Sequence, residues 1–238
     1  MIDIHSHILF DIDDGSRSIS ESVEILKNMS ELGFTDVVLT PHYIVDSKYE
    51  NTKNEKEFKL NLLKEELNKN NIDINLYLGN ELFIDPSIVK RLDDNALSIN
   101  NSKYILLELP MNGEYNNSYG IICGLIEKGY KVIMAHPERY LSVQNDISVL
   151  DELVDLGVLF QSNIGSLFGM YGKDAKKTVK KLLKEKYISF LSTDIHHKTY
   201  NYEFFEDINK KLKKYYNEKE IEDLLVNNAK CVLENKEF

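Results

Sequence analysis

Two histidines one residue apart, His5 and His7, lie in the opening run Met1-Ile2-Asp3-Ile4-His5-Ser6-His7. On an extended segment residues i and i+2 face the same side, so both imidazoles can be presented to one centre. The segment then enters a carboxylate cluster, Asp11, Asp13 and Asp14, closed by Gly15. This is metal-ligand spacing.

The pattern recurs along the chain. Short apolar runs predict strands at 1–5, 36–40, 74–78, 104–108, 132–135, 158–161 and 188–191. Metal-capable side chains stand at their ends. His5 and His7 follow the first run, His42 in Thr40-Pro41-His42 the second, and Glu81 in Gly79-Asn80-Glu81 the third. Glu108 closes the fourth, His136 in Ala135-His136-Pro137-Glu138-Arg139 follows the fifth, and Asp194 with His196 follows the seventh. Five of the six histidines occupy such positions, and the sixth, His197, is adjacent.

Asp14, Glu81, Glu108 and Asp194 together with five imidazoles exceed what one ion can use, so two or three ions are implied. No cysteine lies at a strand end, and mixed His/carboxylate shells suit Mn, Fe or Zn. Three divalent ions would leave a net positive site that attracts an anion such as phosphate. Arg139, three residues beyond His136, is the natural companion, because a guanidinium matches phosphate with two parallel hydrogen bonds. Asn163 and Ser166 can offer hydrogen bonds at the same mouth, or simply form a turn.

These donors need a frame that brings strand ends together. Helical patterns at 18–32, 55–68, 86–93, 118–128, 147–156, 175–184, 203–216 and 218–232 alternate with the strands. Ser18 with Glu21 reads as a capping box, and Gly33, Gly129 and Gly157 as helix stops. Strands alternating with helices predict a parallel α/β sheet, as a barrel or an open sheet. Neither G-x-G-x-x-G nor G-x-x-x-x-G-K-[ST] occurs, which removes support for a nucleotide-binding open sheet. In a (β/α) barrel the C-terminal strand ends converge on one mouth, which suits the donor positions.

A length of 238 residues without a composition shift predicts one domain, 1–238. The net charge of −10, with only Arg17, Arg91 and Arg139 as arginines, argues against nucleic acid as a partner. The lysine runs 173–186 and 210–214 read as solvated helix faces. No apolar run approaches the roughly 20 residues of a membrane span, and the opening segment is unlike a signal peptide, so a cytoplasmic protein without membrane insertion is expected. Cys123 and Cys231 form no C-x-x-C pair. The tyrosines are too spread to define an oligomer interface.

The ordered set Asp-Ile-His-Ser-His, Asp-Asp-Gly, Thr-Pro-His, Gly-Asn-Glu, Leu-Glu-Leu-Pro, His-Pro-Glu-Arg-Tyr and Thr-Asp-Ile-His resembles the polymerase and histidinol phosphatase (PHP) family of metal-dependent phosphoesterases. More narrowly it resembles the PHP-type protein-tyrosine phosphatases encoded with bacterial capsule and exopolysaccharide genes. The resemblance covers nearly the whole chain. It implies a distorted, TIM-like (β/α)7 barrel with a trinuclear site, often manganese. His5, His7, Glu81 and Asp194 would hold one ion, Glu81, Glu108 and His136 a second, and Asp14, His42 and His196 a third. It further implies attack by a metal-bridging hydroxide, with Arg139, Asp194 and His42 as catalytic residues and Arg139, Lys198 and Asn163 as substrate contacts.

One position departs from the family pattern. A second arginine is usual a few residues after the last Asp-x-His, where this chain reads His197-Lys198-Thr199-Tyr200. Lys198 would supply charge there without the planar fork. A cysteine-based route is excluded, because the residues six beyond Cys123 and Cys231 are Gly129 and Glu237 rather than arginine. The implied substrate is phosphotyrosine on a bacterial tyrosine kinase that regulates polysaccharide export. Competing readings are a small-molecule phosphatase, such as one for histidinol phosphate, and a metal-binding regulatory domain whose catalysis has decayed.

Overall fold

A computed structural model describes residues 1–92, 94–112 and 116–238. Its strands are β1 (Ile2–Asp3), β2 (Asp36–Leu39), β3 (His42–Tyr43), β4 (Asn75–Leu78), β5 (Glu81–Phe83), β6 (Tyr104–Glu108), β7 (Lys131–Ala135), β8 (Leu159–Asn163) and β9 (Phe190–Ser192). All pairings are parallel, in the orders β1-β2-β4 and β3-β5-β6-β7-β8-β9. The seven expected strand positions are all present. The second and third are each interrupted, giving nine segments.

The interruptions have a physical cause. Pro41 has no N–H to give to a ladder. Beside it the Asn80 side chain donates to Pro41 O (2.8 Å) while its Oδ1 accepts from Leu97 N (2.9 Å) and from the buried Lys56 Nζ (2.7 Å). Both strands break at the same level and resume one step further on, in register His42↔Glu81.

The pairings run round a ring. Its last link joins the first and seventh positions through one bridge, Ser6↔Ile195. Hydrogen bonds from Asp194 N to His5 O and from His7 N to Ile195 O, both 2.9 Å, continue that seam. The Asp3 carboxylate, fully buried, accepts from Thr193 Oγ1 (2.5 Å) and Thr193 N (3.1 Å) and so pins β1 to the end of β9.

Side chains alternate as the period of two requires. Val38, Tyr104, Leu106, Ile133, Ala135 and Phe190 share one cluster with Ile2 and Ile4, whereas Ile105, Leu107, Val132, Met134 and Phe160 pack in another against the surrounding helices. Ala229 and Val232, from the helix Asn228–Leu233, belong to the first cluster. Glu108 follows Tyr104 and Leu106 at the same period, so it emerges at the C-terminal mouth.

Expected helices are found with shifted ends. Ser18 Oγ caps Ile19–Glu31 by accepting from Glu21 N (3.2 Å). The Glu21 carboxylate accepts from Arg17 N (3.1 Å), one residue outside the expected box. Gly33, at φ +85°, ends that helix as expected. The 86–93 pattern yields Ile88–Arg91, and its last residue, Asp93, lies outside the described residues. The 147–156 pattern is a 3-10 turn, Ile147–Leu150, continued by Asp151–Asp155, and the 218–232 pattern contains a π turn at Asp223–Asn227.

Replacing Asp3 with alanine strands the buried Thr193 N–H and hydroxyl at the closing seam. Urea unfolding of Asp3→Ala is expected to show a loss of about 2–4 kcal/mol, the cost of two or more orphaned buried groups. Asp3→Asn, which keeps an acceptor, is expected to lose less.

Candidate active site

Each donor reaches the mouth by a local device. His5 and His7 leave the extended β1 segment on one side, with their Nε2 atoms 3.3 Å apart. Gly15 lets the acidic loop fold back onto them: a Cβ there would stand 2.0 Å from His7 O. No side chain fits. Glu81 and His42 come from the two strand resumptions. His136 and Asp194 end their strands in the left-handed region, at φ +34° and +52°, a conformation that costs about 1–3 kcal/mol for a non-glycine residue.

The carboxylates sit between the imidazoles. Glu81, 1% exposed, has Oε1 2.8 Å from His136 Nε2 and 3.4 Å from His5 Nε2. Its Oε2 lies 3.0 Å from His42 Nδ1 and 3.2 Å from His7 Nε2. Asp194 Oδ1 lies 3.5 Å from His5 Nε2, His7 Nε2 and His196 Nδ1. Glu108 stands 3.8 Å from both His42 Nδ1 and His136 Nε2, and Asp14 Oδ1 lies 3.5 Å from His42 Nε2 and 3.7 Å from His196 Nε2.

All nine expected ligands therefore meet at one mouth. Among the described residues, donor atoms fall into four overlapping groups, each within 4.8 Å: His7, Asp14, His42, His196; His5, His7, Glu81; His5, His136, Asp194; and His42, Glu81, Glu108. The first contains the expected third set, with His7 added. The other groups place His5 and His7 with Glu81, His5 and His136 with Asp194, and His42 and Glu81 with Glu108, which stands equally near His136.

A second tier fixes which nitrogen faces inward. His7 Nδ1 is 2.7 Å from Asp13 Oδ2, and His5 Nδ1 is 2.7 Å from Gln161 Oε1. Each ring is thereby held with Nε2 toward the centre, the arrangement that orients histidines on metals. Gln161 Nε2 donates to Asn163 Oδ1 (2.9 Å), and Asn163 Nδ2 donates to Asp194 Oδ2 (2.6 Å). Nδ1 of His136 is buried without a hydrogen-bond partner among the described residues. The donor set fits divalent cations.

The local fields agree. Burial acts to lower the His5 imidazole, but the negative fields of Glu81 and Asp194 outweigh it and hold it up to about 9. His7, where Asp13 is the largest opposing charge to burial, lies well above the ordinary histidine value, and His42 is raised by Glu81. His196 is pushed down to about 4 by burial and the positive field of His7. Burial would raise Glu81 and Asp194, yet the imidazoles hold both below the usual carboxylate range. Glu108 is pushed up to about 6 by burial and by Glu81. A divalent ion takes neutral imidazole and ionised carboxylate ligands, so its binding among these donors would release protons.

Arg139 lies on the wall of the same cleft. Its Nη1 donates to Asp194 Oδ2 (3.0 Å), and its guanidinium covers the Tyr171 ring at 4.5 Å. The cleft, about 550 Å³, is also lined by Arg17, Met170, His197, Thr199 and Tyr200.

Two expected substrate contacts are placed elsewhere. Lys198 is not on the cleft wall: its Nζ pairs with Glu24 Oε2 (3.1 Å) on the first helix, and its backbone N–H points to Glu21. Asn163 is fully buried and spent on Gln161 and Asp194, so it holds a ligand rather than facing a substrate. Ser166 is likewise buried and donates to Glu138 Oε1 (2.6 Å). The cleft's second guanidinium is Arg17, from the loop before the first helix. Gln161, Arg17 and Tyr171 were given no site role in the sequence, and Asp13 was placed in the acidic cluster without one. Gln161 carried a signal in its i, i+2 spacing to Asn163 at a strand end, and Asp13 in its place in that cluster.

A ring of parallel strands whose C-terminal ends converge nine His and carboxylate donors around one cleft defines a PHP-type metal-dependent phosphoesterase scaffold. Within that class, the chain belongs to the CpsB/CapC family of capsular polysaccharide synthesis, matched over residues 1–234. It is 35% identical to the putative tyrosine-protein phosphatase CapC of Staphylococcus aureus, over 99% of this chain and 92% of that protein. A crystal structure from work on YwqE of Bacillus subtilis and CpsB of Streptococcus pneumoniae, described as metal-dependent tyrosine phosphatases, superposes with a TM-score of 0.91 at 30% identity, covering 100% of this chain and 96% of that one. The histidinol phosphate phosphatase of Lactococcus lactis, at 16% identity, TM-score 0.60 and coverage of 90% and 93%, shares the fold.

If Gln161 orients His5, Gln161→Leu is expected to weaken divalent-ion binding about 10- to 100-fold in calorimetric titration of the metal-stripped protein, with its far-UV spectrum retained. His136→Ala is expected to remain folded and lose bound metal, as read by elemental analysis after dialysis.

Proposed function

We propose that the chain is a manganese-dependent protein-tyrosine phosphatase acting in the cytoplasm on a phosphotyrosine protein, specifically a bacterial tyrosine kinase linked to capsule or exopolysaccharide synthesis. The observation that carries this reading is the placement of a polynuclear donor set and Arg139 in one solvent-open cleft. The similarity to tyrosine phosphatases reported above supports the substrate class. Among the described residues no helix is long and apolar enough to cross a membrane.

Divalent ions held by His5, His7, Asp14, His42, Glu81, Glu108, His136, Asp194 and His196 would polarise the phosphoryl oxygens and acidify water as the nucleophile. The protein's own groups do the rest. Arg139 receives the phosphate dianion: one donor is anchored on Asp194, the ring of Tyr171 supports its face, and a quarter of the side chain is open to the cleft. Arg17, exposed on the opposite loop, adds a second positive charge. Asp194 couples the two parts, touching three ligand imidazoles through Oδ1 and Arg139 through Oδ2. A tyrosyl leaving group, with a conjugate acid near pKa 10, departs with less protonation than an alkyl alkoxide needs. Such a site suits aryl phosphates.

The rim is partly apolar. Met170 is 50% exposed there, and Asp14 and Arg17 are exposed. A rim of this kind admits a side chain borne on a polypeptide.

Phosphate release from a phosphotyrosine peptide and from histidinol phosphate, measured before and after chelation and after reloading with Mn, Fe or Zn, tests the reading. Activity on the peptide that is lost on chelation and restored by Mn is expected. Activity confined to histidinol phosphate would overturn the protein-substrate assignment, and fully loaded but inert protein would point to a decayed enzyme. Arg139→Ala is expected to raise KM for the peptide about 10- to 100-fold, the worth of charge-assisted hydrogen bonds, without loss of bound metal.

A further inference from the structure

The helix Gly172–Lys184 carries six lysines and one carboxylate, Asp174. Ala175, Thr178, Val179, Leu182 and Leu183 face the core, so the lysines occupy the opposite face. Lys173/Lys177, Lys176/Lys180, Lys177/Lys181 and Lys180/Lys184 are like charges at i, i+4, each destabilising to the helix. A chain of net charge −10 has many carboxylates with which to relieve this, yet the helix itself carries only Asp174, and Glu185 beyond its end pairs with Lys184 alone (3.7 Å).

The fold adds the second lysine run to the first. Lys176 Nζ donates to Phe168 O (3.4 Å) while Lys211 Nζ covers the Phe168 ring at 4.5 Å. Burial lowers the Lys211 ammonium below its ordinary value, and the fields of Lys176, Lys180 and Lys214 lower it further against Asp207. Among the described residues Lys176, Lys180, Lys211 and Lys214 have no ion-pair partner, whereas Lys210 and Lys213 beside them pair with Asp207 and Glu218. Read apart, the two runs look like solvated faces. Together they make one positive surface.

That surface starts at the cleft. Met170 and Tyr171 line the cleft and immediately precede the helix. The helix is about 20 Å long, the span of about six extended residues. We propose that the lysine face of Gly172–Lys184, with Lys211 and Lys214, docks an acidic or further phosphorylated stretch flanking the phosphotyrosine of the protein substrate. The inference rests on the phosphatase reading above. On a molecule otherwise negative, the patch both attracts such a segment and fixes the direction in which it leaves the cleft.

Metal-loaded protein and a Lys177→Glu/Lys180→Glu/Lys214→Glu variant are compared on two phosphotyrosine peptides that differ only in glutamates or glutamines flanking the tyrosine, and on free phosphotyrosine. The native chain is expected to favour the glutamate peptide about tenfold in kcat/KM at low ionic strength, less as salt rises. The variant is expected to lose or reverse that preference while hydrolysing free phosphotyrosine as before. The milder Lys180→Gln/Lys214→Gln pair, expected to reduce the preference, replaces it if circular dichroism shows misfolding. Equal kcat/KM for the two peptides, or a preference that survives substitution, overturns the docking surface. So does retention of the preference together with lost binding to phosphatidylglycerol vesicles, which would assign the patch to a membrane. Absence of turnover on free phosphotyrosine by the native, loaded protein overturns the phosphatase reading itself, and the inference with it.

Discussion

Glu81 and Asp194 are buried charges at the centre of the ring, and the structure is arranged around compensating them. A carboxylate removed from water costs several kcal/mol unless positive or hydrogen-bonding partners surround it. Glu81 finds His5, His7, His42 and His136; Asp194 finds His5, His7, His196, Arg139 and Asn163. These partners arrive from the first, second, fifth, sixth and seventh strand positions. The compensation exists only when the ring is complete, so closing the fold and assembling the site are one event. The weak final seam, a single bridge strengthened by Asp3 and Thr193, is tolerable because the electrostatics at the mouth also hold it shut.

Rigidity comes from groups that never face the cleft. Glu138, fully buried, accepts from Ser162 Oγ, Asn163 N and Ser166 Oγ and so ties the loop carrying His136 and Arg139 to the end of β8. On the other side, Lys56 and Asn80 hold the paired strand breaks from which His42 and Glu81 project. Left-handed backbone at His136 and Asp194 persists because hydrogen bonds over-determine it: Arg139 N to His136 O, and Asp194 N to His5 O. At these two positions the chain turns a strand end abruptly into the mouth.

The donors were legible in sequence because strand ends and metal-capable residues coincide, and a two-residue period converts that coincidence into direction. The alternation Tyr104, Leu106, Glu108 is the clearest case. Partition of the donors among ions has no local signature, since Glu81 and His5 each touch several neighbours. Asp13 and Asp14 show the same limit: adjacent carboxylates in one loop, of which one orients His7 from behind and the other faces the cleft. Lys198 misled because sequence distance from Asp194 was read as distance from the substrate, whereas the helix bearing Glu24 lies closer to its amine than the mouth does. Arg17 was overlooked for the converse reason. Nothing local marks it, and only the fold of the acidic loop over Gly15 carries it to the rim.

The vertical arrangement of the cleft bears on selectivity. Glu81, His5 and His136 at the floor are essentially inaccessible, while Met170 and Arg17 at the rim are open. The expected ligands span that depth, from Glu81 at the floor to His196 and Asp14 nearer the rim. Tyrosine sets its phosphate several ångströms further from the backbone than serine or threonine does, and its ring is apolar on both faces. A rim with a thioether and aromatic walls lets such a ring pass without leaving polar groups unpaired.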